Sequence, residues 1–99
     1  MAKKPIKQVL DENAPWLPVP YDLADAGALQ ALNRGDASPD AQQRALRWII
    51  EKAAGTYEPS YRPGEEGERD TAFAEGRRYV GLHIVKLLKL NLQAMRNDK

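Results

Sequence analysis

The sequence contains no cysteine and a single histidine. The first absence excludes disulfides, thiolate nucleophiles and thiolate metal ligands, and the second makes a zinc site within one chain hard to assemble. No apolar run approaches the ~20 residues of a membrane-spanning helix, so membrane insertion is not expected. The opening residues, MAKKPIKQVLDENAPW, lack an apolar core of signal-peptide length, and a cytoplasmic location is expected. Net charge is also nearly absent, at +1. That balance argues against a protein whose main task is to coat nucleic acid.

What is present fits one small soluble domain: 99 residues, 42% hydrophobic and 29% charged, with room for one modest core. The charges are segregated. Residues 1–10 hold three lysines and no acid, residues 56–70 carry a net −3, and residues 77–99 carry a net +5. Such blocks would favour head-to-tail contacts between copies or a basic face for an acidic partner, but ordinary solvated surface with helix-dipole complementarity is the simpler account of them.

Pro5, Pro15, Pro18 and Pro20 prevent a continuous helix over residues 1–20, which read as an extended basic arm. Trp16 is the one aromatic anchor in it, to be packed on its own domain or on a neighbour. Residues 21–99 read as a single helical domain with helices over about 22–34, 39–54 and 69–94. In the first, Asp22 is the expected N-cap and Gly35 the stop, and the interior Gly27 needs tertiary support. The second opens on the clearest start signal in the chain: Ser38 to cap, Pro39 at the first helical position and Asp40 against the helix dipole. Ala41, Ala45, Trp48, Ile49 and Lys52 fall on one stripe of it, which makes Trp48 a core filler.

The connection TYEPSYRPGEEG is longer than is usual between bundled helices, and something must hold it down. Tyr57 and Tyr61 are the expected pins, with rings packed and hydroxyls wet. In the last helix Phe73, Gly76, Val80, Ile84, Leu87, Leu88 and Met95 share a face that Leu82, Val85 and Leu92 widen. At ~1.5 Å per residue this helix would approach 40 Å, more than the shorter helices can cover. An uncovered flank predicts a partner, most simply a second copy. Ala72, Gly76 and Gly81 would permit close backbone approach. Phe73 and Gly76 are expected to pack against the end of the preceding helix, with Arg77 and Arg78 meeting the acidic loop.

Residues that carry chemistry do not converge. Glu65, Glu66, Glu68 and Asp70 lack the ligand order of a calcium loop and already suit a helix N-terminus. His83 has no acid at neighbouring helical offsets, and Ser38 and Ser60 have no activating partner. Neither an enzyme nor a cofactor or metal is expected. The nucleic-acid alternative rests on the hairpin around RGDASP, where Gln43, Arg44 and Arg47 would be the reading side chains of a helix-turn-helix. Asp36, Asp40 and Glu51 would repel phosphates there.

Two segments resemble a known family. SPDAQQRALRWIIEKAAG, with Ser38, Pro39, Asp40, Ala45 and Leu46, is followed by an aromatic and proline-containing loop. Then comes TAFAEGRRYVG, with Thr71, Ala72, Phe73, Glu75, Gly76, Arg78 and Val80, continued by Ile84 and Leu87. Together they are similar to small proteins of tailed phages and prophages, of the type found in the head and portal gene cluster of Bordetella podophages. The resemblance spans residues 38–90 and implies a phage protein without established enzymatic activity, virion-associated or assisting head assembly. Its place would be the host cytoplasm or the particle, and it supplies no catalytic residue.

The expected architecture is therefore all-α: two short helices plus one long C-terminal helix, with an extended proline-rich N-terminal arm. The expected partners are other phage structural proteins or further copies of the chain, through Trp16, Tyr57, Tyr61, Phe73, Gly76, Arg77 and Arg78. A small DNA-binding packaging or regulatory factor and an anti-defence inhibitor are the alternatives.

Overall fold

The computed structural model describes residues 18–97, which are mostly helical, with no strand among them. Helix α1 spans Leu23–Arg34, α2 Pro39–Trp48, α3 Gly67–Leu88 and α4 Leu92–Asn97, with a π turn, Ile49–Ala53, continuing α2. The expected all-α arrangement of two short helices and one long one is what these residues form. Most of the expected arm, Trp16 included, lies outside the described residues, and Pro18–Asp22 has no regular secondary structure.

Each boundary of the α1/α2 hairpin has a local cause. Asp22 accepts the Asp25 N–H at 2.8 Å and donates its own N–H to the Asp25 carboxylate at 3.1 Å, a reciprocal cap. Gly35, at φ 82°, ends α1 in the left-handed conformation, and the N–H groups of Gly35 and Asp36 turn back to Leu32 and Ala31. Ser38 Oγ then accepts the Ala41 N–H at 3.1 Å, with Pro39 at the first position of α2.

The second expected helix departs from a continuous α-helix over 39–54, because its last turn is π. Ala54 N–H reaches Ile49 O at 2.8 Å, five residues back. This inserts one residue into the period, so the buried positions run Ala45, Ile50, Ala54, and Lys52 falls to the exposed side. An unbroken 3.6-residue period would have placed Lys52 on the buried stripe.

The last expected helix, 69–94, is also two elements. Helix α3 begins at Gly67 and closes at Leu88, where the Lys89 N–H reaches Val85 and Lys86. Asn91 then starts a new helix, its side chain accepting the Ala94 N–H at 3.0 Å and its carbonyl the Met95 N–H at 3.2 Å. An asparagine that can bond its own downstream backbone competes with helix continuation.

The packing is sequential. Helix α1 lies on α2, and of the described elements α3 meets only the π turn. The apolar side chains buried among the described residues are Ala28, Ala45, Ile50, Ala54 and Ala74. One isoleucine and four alanines remove little area from water, at ~0.8 kcal/mol per buried CH₂.

Candidate functional site

The junction between the π turn and α3 is held by Thr56. Its side chain is 1% exposed, and its hydroxyl donates to Ile50 O at 2.7 Å beside its own N–H at 3.2 Å. Arg78 Nε donates to Thr56 O at 3.1 Å. Helix α3 presents Gly81 here, and a Cβ at that position would overlap Thr56 Oγ1 and come within 2.9 Å of Ala54 Cβ. Glycine is required by this close approach, since any side chain would push the helix off the turn.

The connector is thus pinned by groups other than the expected tyrosines. Tyr57 and Tyr61 are both exposed, although Tyr57 borders a shallow pocket with Leu46 and Ile50. Thr56 takes their role, with Thr71 Oγ1 accepting the Arg62 N–H at 2.9 Å and Arg77 approaching Glu58 at 4.0 Å. Of the two arginines expected to meet the acidic loop, Arg77 faces Glu58 and packs near Gly55, whereas Arg78 reaches the loop only at the Thr56 carbonyl and pairs with Glu75 of its own helix at 3.7 Å. Hydroxyls that return to the backbone hold a turn with shorter reach than a ring, which explains why threonine rather than tyrosine serves.

Phe73 and Gly76 were expected against the preceding helix end, and the structure places Ala74 and Gly81 there instead. Both buried residues lie one position C-terminal to, or five beyond, the expected pair, on the opposite flank of α3. Gly76 has open space around it and Ala72 is exposed. Phe73, Val80 and Leu87, seven residues apart, therefore form a stripe pointing away from the chain's own core, with exposures of 50, 56 and 65%. Gly76 lies in this stripe, and the half-buried Ile84 borders it. The apolar bulk of α3 is outside, while its buried side is alanine and glycine.

A cavity of about 480 Å³ opens at the N-terminal end of the stripe, lined by Glu66, Arg69, Asp70 and Phe73. Asp70 keeps one oxygen buried without a hydrogen-bond partner, a group that a donor would satisfy. Glu66 and Arg69 are exposed and 3.9 Å apart. An aromatic wall with a mixed-charge rim is the composition of a contact surface. No cluster of three or more metal-ligating side chains forms among the described residues. His83 lies exposed on α3, its Nδ1 3.0 Å from Tyr79 O and its ring tilted against the Tyr79 ring.

The candidate nucleic-acid residues are split by the fold. Arg44 is committed within the hairpin: its Nε donates to Asp25 at 3.0 Å and its Nη2 to Asp22 at 3.0 Å. The Asp25 N–H, and after it the Arg44 cation, holds the Asp22 carboxyl below the usual carboxylate range, while Asp25 first and Asp22 second keep Arg44 more firmly protonated. Gln43 and Arg47 remain exposed on α2. The capping acids of α1 capture the cation that would have read a groove, and the pairing of residues 19 and 22 apart carries no local sequence signal.

These features define a small all-helical protein that, among the described residues, carries more large apolar side chains on its surface than in its core. A family model described as Bbp19-like phage protein matches residues 37–97, more than half of the chain, and the protein belongs to that family. The match takes in α2, the π turn, the pinned connector, α3 and α4, and leaves out α1. Neither the curated proteins nor the solved structures contain a match.

Proposed function

We propose that this phage protein works without catalysis, as a virion-associated or head-assembly component that makes protein–protein contacts through the Phe73–Leu87 face of α3. The observation that carries this reading is the exposed apolar stripe on a helix whose buried side is alanine and glycine. Exposed contiguous apolar surface on a small protein is a contact surface far more often than a passive one. Other phage structural proteins and further copies of the chain are the partners, met in the host cytoplasm during particle assembly.

The test is genetic and structural together. A phage carrying Val80→Arg is expected to yield fewer complete heads by electron microscopy, with the variant protein still folded and expressed. Normal head counts from this variant would overturn the assignment of contacts to this face, and normal counts from a full deletion would overturn the role in assembly. The nucleic-acid alternative loses Arg44 as a reading side chain, since the hairpin already uses it.

A further inference from the structure

The apolar face of α3 has a definite shape and charge order, and these point to one occupant. Along the face, Phe73, Val80 and Leu87 protrude, and Gly76 leaves a gap with nothing within 4 Å of where a Cβ would sit. Bulk and gap are arranged about Val80: Phe73 and Leu87 lie seven residues either side of it, and Gly76 and Ile84 four either side. A rotation by half a turn about an axis through Val80 therefore brings Leu87 of a second helix opposite Phe73, and Ile84 opposite the Gly76 gap. The face is complementary to itself when the helices run antiparallel, as a two-fold interface requires.

Charge selects the same orientation. The stretch 65–70, at the start of α3, carries a net −3, and the stretch 86–96, beyond its other end, a net +3. Antiparallel helices set each acidic end beside a basic end and oppose the helix dipoles favourably, whereas parallel helices would set like ends together. The small core supplies the motive: Phe73, Val80 and Leu87 are half or more exposed among the described residues, and small scaffolds commonly reach stability by oligomerising.

We infer that a second copy of the chain covers this face, its α3 packed antiparallel about a two-fold axis near Val80. This rests on the reading that the face is a protein contact surface, and specifies the contact. Gly76 admits Ile84 of the partner copy, and Phe73 stacks with its Leu87.

The absence of cysteine makes the geometry directly testable in the full chain. Sedimentation should give twice the 11.1 kDa chain mass, and Val80→Arg should reduce it to one chain with the helical circular dichroism retained. With a short bis-maleimide, Val80→Cys should cross-link to itself. Phe73→Cys should cross-link to Leu87→Cys in a mixture but not to itself, because antiparallel pairing separates like positions by ~20 Å. Self-linking of Phe73→Cys would mean a parallel pair and overturn the inference while leaving the contact reading intact. A monomer that instead binds another phage structural protein through Val80 would do the same. A monomer whose Val80→Arg variant leaves head assembly unchanged would overturn both.

Discussion

The hairpin and the long helix are built on opposite plans. In the hairpin three of the four helix ends are closed locally, by the Asp22–Asp25 cap, by Gly35 and by Ser38, and the cation Arg44 is committed to Asp22 and Asp25 at the start of α1. Helix α3 has no side-chain cap at its N-terminus and meets the rest of the described elements only at the π turn. The polar ends of the hairpin are satisfied by its own chain, though Leu23 is 90% exposed, and α3 turns the row Phe73, Val80 and Leu87 outward. A region closed by capping and pairing is scaffold, and a region held at one point with an apolar flank is available to others.

The sharpest way to break this contrast is to place the same methyl group on its two sides. At Gly81, alanine would meet Thr56 and Ala54 at less than contact distance. Gly81→Ala is expected to destabilise by about 1–3 kcal/mol, as overpacking does, read as a fall in thermal midpoint. Gly76→Ala enters open space in a helix interior and should raise the stability of the isolated chain by up to ~1 kcal/mol, read by the same melt under conditions that keep Val80→Arg monomeric. If both substitutions moved stability the same way, the assignment of a closed and an open side to α3 would be wrong.

Smaller effects should follow at the junction and in the hairpin. Thr56→Val removes the buried hydroxyl bond to Ile50 O, while the Thr56 N–H still satisfies that carbonyl, so a loss of about 1 kcal/mol in urea denaturation is expected. Arg44→Ala should weaken the hairpin by less than Thr56→Val weakens the junction, because both ion pairs are partly solvated. Equal losses at Arg44 and Gly81 would erase the distinction between trimmed scaffold and single-point junction.

The least effect is one of pH. Asp22 has a folded pKa below its unfolded value, so its contribution to stability is present above the ordinary carboxylate range and lost as pH falls through the folded value. The hairpin should therefore loosen below about pH 4, and Asp22→Asn should flatten that part of an acid titration followed by circular dichroism. An unchanged acid limb in Asp22→Asn would remove this pair from the account of hairpin stability.

Legibility followed locality. Ser38 with Pro39, and Gly35 after an apolar period, announce helix ends within a few residues, and α2 starts and α1 stops where those signals stand. The apolar face with Phe73, Gly76, Val80, Ile84 and Leu87 was readable from its period. Which side of the helix turns inward is not readable so: the period suggests Phe73 and Gly76 there, and Ala74 and Gly81 are the buried residues. An alanine and a glycine advertise nothing in a hydropathy pattern, and packing by small residues is recognisable only when the opposing backbone is in place. The connector misled in the same way, because rings are conspicuous in sequence and Thr56 is not.

By itself, then, the amino-acid order determined an all-helical chain with capped short helices, a split charge distribution, no thiol chemistry and one helix too apolar for its own domain. Those properties depend on residues within a turn or two of each other, or on composition. Only the tertiary structure decided that α2 ends in a π turn, that Arg44 belongs to Asp22 and Asp25, and that α3 turns Gly81 inward and Phe73, Val80 and Leu87 outward. Each of those depends on which surfaces meet, and a helical period fixes what lies on a face without fixing where that face is turned.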